Sequence, residues 1–145
     1  MRPSDLQMNN LFIDEIKYKF NPNFVHTKDG VGISIGFALH RQIREDEKKA
    51  IIMLRTELFN EELTEKMPFH INIVIGAIFK WEDLSNEQLK QVLTENVASI
   101  LFSYTRPLIA QITSMSNMPP LHLQLMNFKD IEVIDVATPG EKSES

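Results

Sequence analysis

Apolar and polar positions alternate in four stretches of the chain, and then the period changes. In residues 8–20, MNNLFIDEIKYKF, Phe12, Ile16, Tyr18 and Phe20 share one side, interrupted by Asp14. Glu15, Lys17 and Lys19 share the other, so this reads as a half-exposed strand. NPNFVHTKDG follows as a loop of turn formers that still carries Phe24 and Val25. VGISIGFALHRQI alternates most cleanly, with Val31, Ile33, Ile35, Phe37 and Leu39 on one side. Gly32, Ser34, Gly36 and Ala38 leave its other side almost bare. Such a face either packs tightly under another layer or lets a bound chain approach the backbone.

REDEKK turns the chain into a third strand, AIIMLRTELFNEEL, and TEKMP turns it into a fourth, FHINIVIGAIFKW. Four strands joined by short connections predict an antiparallel sheet. Ser85 with Gln88 then forms a capping box. Beyond it Leu89, Leu93, Val97, Ile100, Tyr104, Leu108 and Ile112 recur at helical steps, with Val92, Leu101, Phe102 and Ile109 widening the stripe. So apolar a helix on so small a domain has more than one layer to cover, which predicts a homo-oligomer of dimers or tetramers. Within SILFSYTRPLIAQITS, Arg106 and Pro107 interrupt the apolar run. Proline removes a backbone donor and crowds the preceding turn, which predicts a kink or break near Tyr104–Arg106.

After SMSNMPP, Leu121, Leu123 and Leu125 alternate with His122 and Gln124 as extended chain. IEVIDV suits a short strand or a helical turn, and ATPGEKSES reads as a flexible tail over 137–145. The fold class is therefore α+β: a four-stranded antiparallel sheet, a long Pro-kinked helix and an extended exit. One domain spans 1–145, with its core over about 8–136.

Composition narrows the function. The 145 residues carry a formal net charge of −5. The basic pairs Arg41/Arg44 and Lys48/Lys49 sit among acids and read as solvated strand ends, so nucleic acid is not an expected partner. There is no cysteine, hence no disulfide or thiolate site. No run approaches the roughly 18 apolar residues that span a bilayer, and the start has no apolar leader, so the expectation is a cytoplasmic chain without membrane insertion. His26, His40, His70 and His122 make no ligand pair, and no phosphate loop or nucleophile elbow occurs. The expectation is no enzyme, no metal and no cofactor. An acyl-thioester chemistry of hot-dog-like architecture would need an acid or amide at the helix start, where Glu87 and Asn96 stand.

The second half of the chain resembles SecB, the bacterial protein-export chaperone family. The matching residues are Gly76, Ile78 and Phe79 in the fourth strand, then Ile100, Leu101, Phe102, Tyr104 and Arg106 in the helix, then Pro120, Leu121, Leu123, Asn127 and Phe128 in the exit. The resemblance implies dimers through sheet edges that pair through their helices. It also implies a holdase that grips unfolded or extended polypeptides in apolar grooves without ATP. It recasts Tyr104 and Arg106 as a family feature, with Arg106 reaching a carboxylate or carbonyl at a helix or subunit contact. The candidate peptide-binding residues are Phe24, Val25, Ile33, Ile35, Phe37, Leu123 and Phe128, with plain core packing as the competing reading for each. The family docks on the SecA motor through an acidic sheet patch. Here Glu15 keeps an acid, Lys19 reverses one and Asn72 neutralises another. The resemblance is thus to a divergent branch, and it does not carry SecA docking with it. A SecB-fold scaffold that has lost client binding is the alternative.

Overall fold

The computed structural model describes residues 6–116 and 118–136; the tail expected over 137–145 lies outside them. Strands β1 (Leu6–Phe20), β2 (Ile35–Arg44), β3 (Lys49–Leu58) and β4 (Phe69–Trp81) are followed by helix α1 (Asn86–Gln91), a π turn (Val92–Asn96), helix α2 (Val97–Met115) and strand β5 (Glu132–Asp135). They build one sheet in the order β1-β4-β3-β2-β5. The first four strands pair antiparallel, as the connections β2–β3 and β3–β4 predict for those two pairs, while β1 pairs with the distant β4. The fifth, IEVIDV in sequence, pairs parallel to β2, so the sheet is mixed and five-stranded rather than four-stranded.

The helix covers one face. Beneath it lie Ile71, Ile73, Ile75, Ala77 and Phe79 of β4 opposite Leu58, Thr56, Leu54, Ile52 and Ala50 of β3, all buried. The even residues of β4 point the other way. There a Cβ on Gly76 would lie 2.6 Å from Met53 Cγ and 2.7 Å from Phe12 Cζ, so only glycine admits these two side chains. Phe12 is on this outer face because β1 is bulged: the register shifts between Asn9 and Phe12 and again between Ile13 and Glu15. The second shift passes over Asp14, the residue that interrupts the alternation in sequence. Phe12 and Ile16 therefore do not share a face, as simple alternation predicts.

Strand β2 begins four residues later than its pattern suggests. Ile35 pairs with Leu58, the last residue of β3. At Phe59 the chain turns away with φ +61°, so among the described residues Val31–Ser34 have no strand to pair with, and the Phe59 N–H reaches back to the Ser34 carbonyl at 2.9 Å.

The helical segment starts on its capping box, Gln88 N–H donating to Ser85 Oγ while the Gln88 side chain accepts from Ser85 N–H. Its buried residues are Leu89, Leu93, Val97, Leu101, Thr105, Ile109 and Thr113, with Val92, Ala98 and Phe102 beside them. The predicted stripe follows this line only as far as Val97. Beyond it Thr105 and Thr113 face the core, their hydroxyls donating to the carbonyls of Leu101 and Ile109 at 3.0 and 2.9 Å. Such internal bonding is what lets a hydroxyl lie in a core. Ile100, Tyr104, Leu108 and Ile112 form a second stripe, which this chain covers only in part.

No break occurs at Tyr104–Arg106. Helix α2 runs on through Pro107, and the departure from α-helical bonding lies earlier, in the π turn. Pro107 and Ser103 are both exposed. The Ser103 carbonyl, which loses its donor, is thus open to water, and the break that would be forced in a core is not forced here. Arg106 donates from Nε to the Leu123 carbonyl at 2.8 Å, tying the exit segment to the helix. Proline at an exposed interior position still costs a helix hydrogen bond. Pro107→Ala is therefore expected to stabilise the chain by about 2 kcal/mol, the helical gain of about 3 being offset by a freer unfolded chain. A urea midpoint below that of the parent protein would contradict this.

Candidate functional site

At the end of the sheet where β1 and β3 finish and β2 and β4 begin, the side chains do not close. An open groove of about 770 Å³ remains between the loop 21–34, the tip of the sheet and the end of α2. Phe59 and Phe69 form a buried floor, edge to face at 5.3 Å. Phe20, Phe24, Val31 and Ile33 make one wall, and Met118, Pro119 and Leu121 make the other. Pro22 and Pro68 stand at the rim. Phe20 is 51% exposed and Ile33 44%, an arrangement that leaves large apolar side chains facing solvent. Among the described residues lining it there is no Asp, Glu, Lys or Arg; His26, stacked edge-on against Phe24 at 4.7 Å, is its one ionisable side chain.

The loop wall is held by Asn21, which is buried. Its Nδ2 donates to the carbonyls of Thr64 and Met67 at 2.9 and 2.8 Å, and its Oδ1 accepts from Asn23 N–H. Farther along, Val25 N–H donates to the Glu65 carbonyl at 2.9 Å. Asn21→Ala removes three hydrogen bonds at about 0.5–1.5 kcal/mol each and is expected to cost about 1–3 kcal/mol. It should also open residues 22–34 to limited proteolysis, and an unchanged cleavage pattern would count against Asn21 as the anchor. Phe59 carries a second signature. Positive φ is uncommon for a bulky residue and costs on the order of 1–3 kcal/mol, a strain concentrated in proteins at ligand clamps and active sites.

Of the residues singled out in the sequence, Phe24 and Ile33 line the groove and Val25 lies exposed beside it. Ile35 packs against the core at the start of β2. Phe37, Phe102 and Phe128 form an edge-to-face cluster with centroids 5.0–5.5 Å apart. Leu123 and Phe128 are buried, so both seal the helix side of the core and lie apart from the groove. Phe79 lies in the core, Tyr104 on the exposed stripe, and Asn127 accepts from Lys129 N–H. Pro120 is exposed at the start of the exit. Glu87 and Asn96 are exposed on the helical segment, and neither lines the groove. Sequence reasoning missed Phe20, Phe59 and Phe69, which read as ordinary strand residues. Their available signal is position: Phe20 and Phe69 end and begin strands within two residues of Pro22 and Pro68, and Phe59 is the first residue past β3.

Two further features depart from the sequence reading. Arg41 is not a solvated strand end: its side chain is 13% exposed and forms a two-pronged ion pair with Asp135, at 2.8 and 3.1 Å. His70 is buried on the outer sheet face with Nε2 2.8 Å from Glu57 Oε2. Beside it Asn72 donates to Glu15 at 2.9 Å, so the one retained acid of that face is already engaged. Among the described residues no group of three or more His, Asp or Glu converges as metal ligands would, and no helix is long and apolar enough to cross a membrane.

A family model described as preprotein translocase subunit SecB matches residues 4–133. The protein-export protein SecB of Anaplasma phagocytophilum (strain HZ) is 33% identical over 88 residues, covering 58% of this chain and 56% of that one. The SecB of Chromohalobacter salexigens is 24% identical over 127 residues, covering 84% and 76%. Against Orientia tsutsugamushi (strain Boryong) SecB the aligned part is 42% of the relative, so the chain spans about half the length of such relatives. In fold it is similar to a Mycobacterium tuberculosis SecB-like chaperone solved in complex with a peptide from an antitoxin. The TM-score is 0.67 at 14% identity, over 84% of this chain and 91% of that one.

Proposed function

The chain belongs to the SecB family, and on that premise we propose that it is a divergent cytoplasmic holdase that binds unfolded or extended polypeptide in the groove beside loop 21–34. The observation that carries the reading is the groove itself: open, aromatic-floored, and lined without a fixed charge. Such a surface gains affinity from any apolar side chain laid into it, at roughly 25 cal/mol per Å² buried, and asks little of sequence. Phe24 and Ile33, with Val25 at the rim, are the residues assigned to client contact. Ile35, Phe37, Leu123 and Phe128 belong to the core packing and are not assigned to client contact.

Oligomerisation belongs to the same reading. The β1 edge exposes Leu11, Ile13 and Ile16, and the second stripe of α2 exposes Tyr104 and Met115. Together they are more apolar surface than a lone domain ordinarily leaves in water. Docking on SecA is not part of the proposal, because Lys19 and Asn72 replace acids and Glu15 is bonded to Asn72. This paired outer face is the one observation favouring the alternative, a scaffold without client binding. The two separate in one experiment. A holdase slows aggregation of a denatured client at near-stoichiometric amounts and has an oligomeric native mass. A client that aggregates at its uncatalysed rate, with a single folded protein recovered in pulldown, establishes the scaffold instead.

A further inference from the structure

The sheet edge opposite β1 carries a second feature. Strand β5 pairs with β2 over only Ala38–Arg41 and Glu132–Asp135, and the pairing is parallel, the weaker arrangement per residue. One further bond, from Val136 N–H to the Arg41 carbonyl, ends it. The segment itself buries little: Ile134 is 38% exposed, Val136 45%, and the Asp135 side chain 63%.

The two halves of its ion pair are unequal. Asp135 sits on the exposed segment. Arg41 is embedded in the body, its guanidinium also donating from Nη1 to Thr94 Oγ1 of the π turn at 3.0 Å. The Thr94 bond anchors the guanidinium to the body independently of β5, and with β5 displaced it keeps that anchor and lacks a carboxylate. Its planar fork suits a two-oxygen acceptor. The body of the protein therefore presents an unpaired backbone edge next to a fixed carboxylate receptor, and β5 is the resident occupant of both.

The geometry points to the β2 edge as a second peptide-binding site, which takes an extended segment of two β-branched residues followed by an acid, parallel to β2, with β5 as a displaceable competitor in cis. Strand addition supplies backbone bonds, and Arg41 supplies the selectivity that the uncharged groove lacks. The site does not rest on the holdase reading, since it shares no lining residue with the groove.

The test uses the full chain and a fluorescein-labelled peptide, Asp-Ile-Glu-Val-Ile-Asp-Val, the sequence of residues 130–136. Asp135→Asn weakens the cis occupant and leaves Arg41 in place, so the variant should bind the peptide at least ten-fold more tightly than the parent chain. Arg41→Gln, alone or with D135N, should abolish binding, and a peptide with its second aspartate changed to asparagine should bind at least ten-fold more weakly. Equal affinity of parent and D135N overturns the proposal, as does undiminished binding by the double variant. A concentration-dependent doubling of mass in D135N without peptide binding would assign the edge to exchange of β5 between copies and overturn it as well. Hydrogen exchange on the unaltered chain decides independently of any variant. Amides of β5 should exchange at least a hundred-fold faster than those of β4, and equal protection would make β5 an integral strand.

Discussion

Replacing Phe24 and Ile33 together by aspartate is expected to abolish suppression of client aggregation while leaving the fold and the native mass unchanged. Both side chains face the groove, and Ile33 is 44% exposed, so their loss removes little from the core. Surface changes of this kind alter stability by no more than about 0.5 kcal/mol each. Binding is a different matter. Each apolar side chain covered by a client contributes about 1.5–3 kcal/mol, so losing two removes about 3–6 kcal/mol, roughly two to four orders of magnitude in affinity. The two new carboxylates add a desolvation cost in a groove whose described lining holds no Lys or Arg to pair with. Titration calorimetry against an unfolded client, with thermal melts run in parallel, reads both halves. Full suppression by the double variant would remove the groove from the function, and a collapsed melting temperature would reassign these residues to the core.

Phe102→Ala has the largest expected effect on stability, about 3–5 kcal/mol of destabilisation. Phe102 is 1% exposed and is packed edge to face against Phe37 at 5.3 Å and Phe128 at 5.5 Å. Its loss opens a cavity at the point where helix, sheet and exit segment meet, and the two partner rings lose their contact together. Since a domain of this size has a total stability of only about 5–15 kcal/mol, the variant should be marginal at 37 °C. Chemical denaturation measures the shift directly. A change under about 1 kcal/mol would mean that Phe37 and Phe128 close over the gap, and that the cluster is not the keystone its geometry makes it.

How far the sequence could be read depended on whether neighbours in space were also neighbours in period. The bounds of β4, Phe69–Trp81, and the capping box at Ser85 were fully legible, because each is specified by residues within a dozen positions. The family resemblance implies that Arg106 reaches a carboxylate or a carbonyl, and it finds the carbonyl of Leu123. The errors fall where a distant partner decides. Phe12 changes face because β1 must bulge to follow β4. Val31–Ser34 stay unpaired because β3 has already ended. Thr105 and Thr113 face the core where apolar periodicity selects Tyr104 and Ile112. The candidate site was half legible: Phe24 stands out as an apolar residue in a loop, whereas Ile33 reads as a residue of the second strand rather than of the unpaired segment before it. Phe59 and Phe69 acquire their role only when four strand ends meet, and no local pattern marks that. Leu123 and Phe128 carry the family motif and share its apolar character, but they spend it on the core.

The order β1-β4-β3-β2-β5 also sets when the molecule can assemble. Strands β2, β3 and β4 form a meander whose contacts close over short loops, and these are the fast steps of folding. Strand β1 pairs with none of its near neighbours in sequence; Leu6 must wait for Trp81. The entropy of closing that long loop is met before any contact rewards it, which makes docking of β1 the slow, late event. During synthesis the first strand emerges before its partner exists, with Ile13, Ile16 and Phe20 bare. For that interval a protein assigned here to the shelter of unfolded chains is itself an unfolded chain, with the same kind of segment to hide.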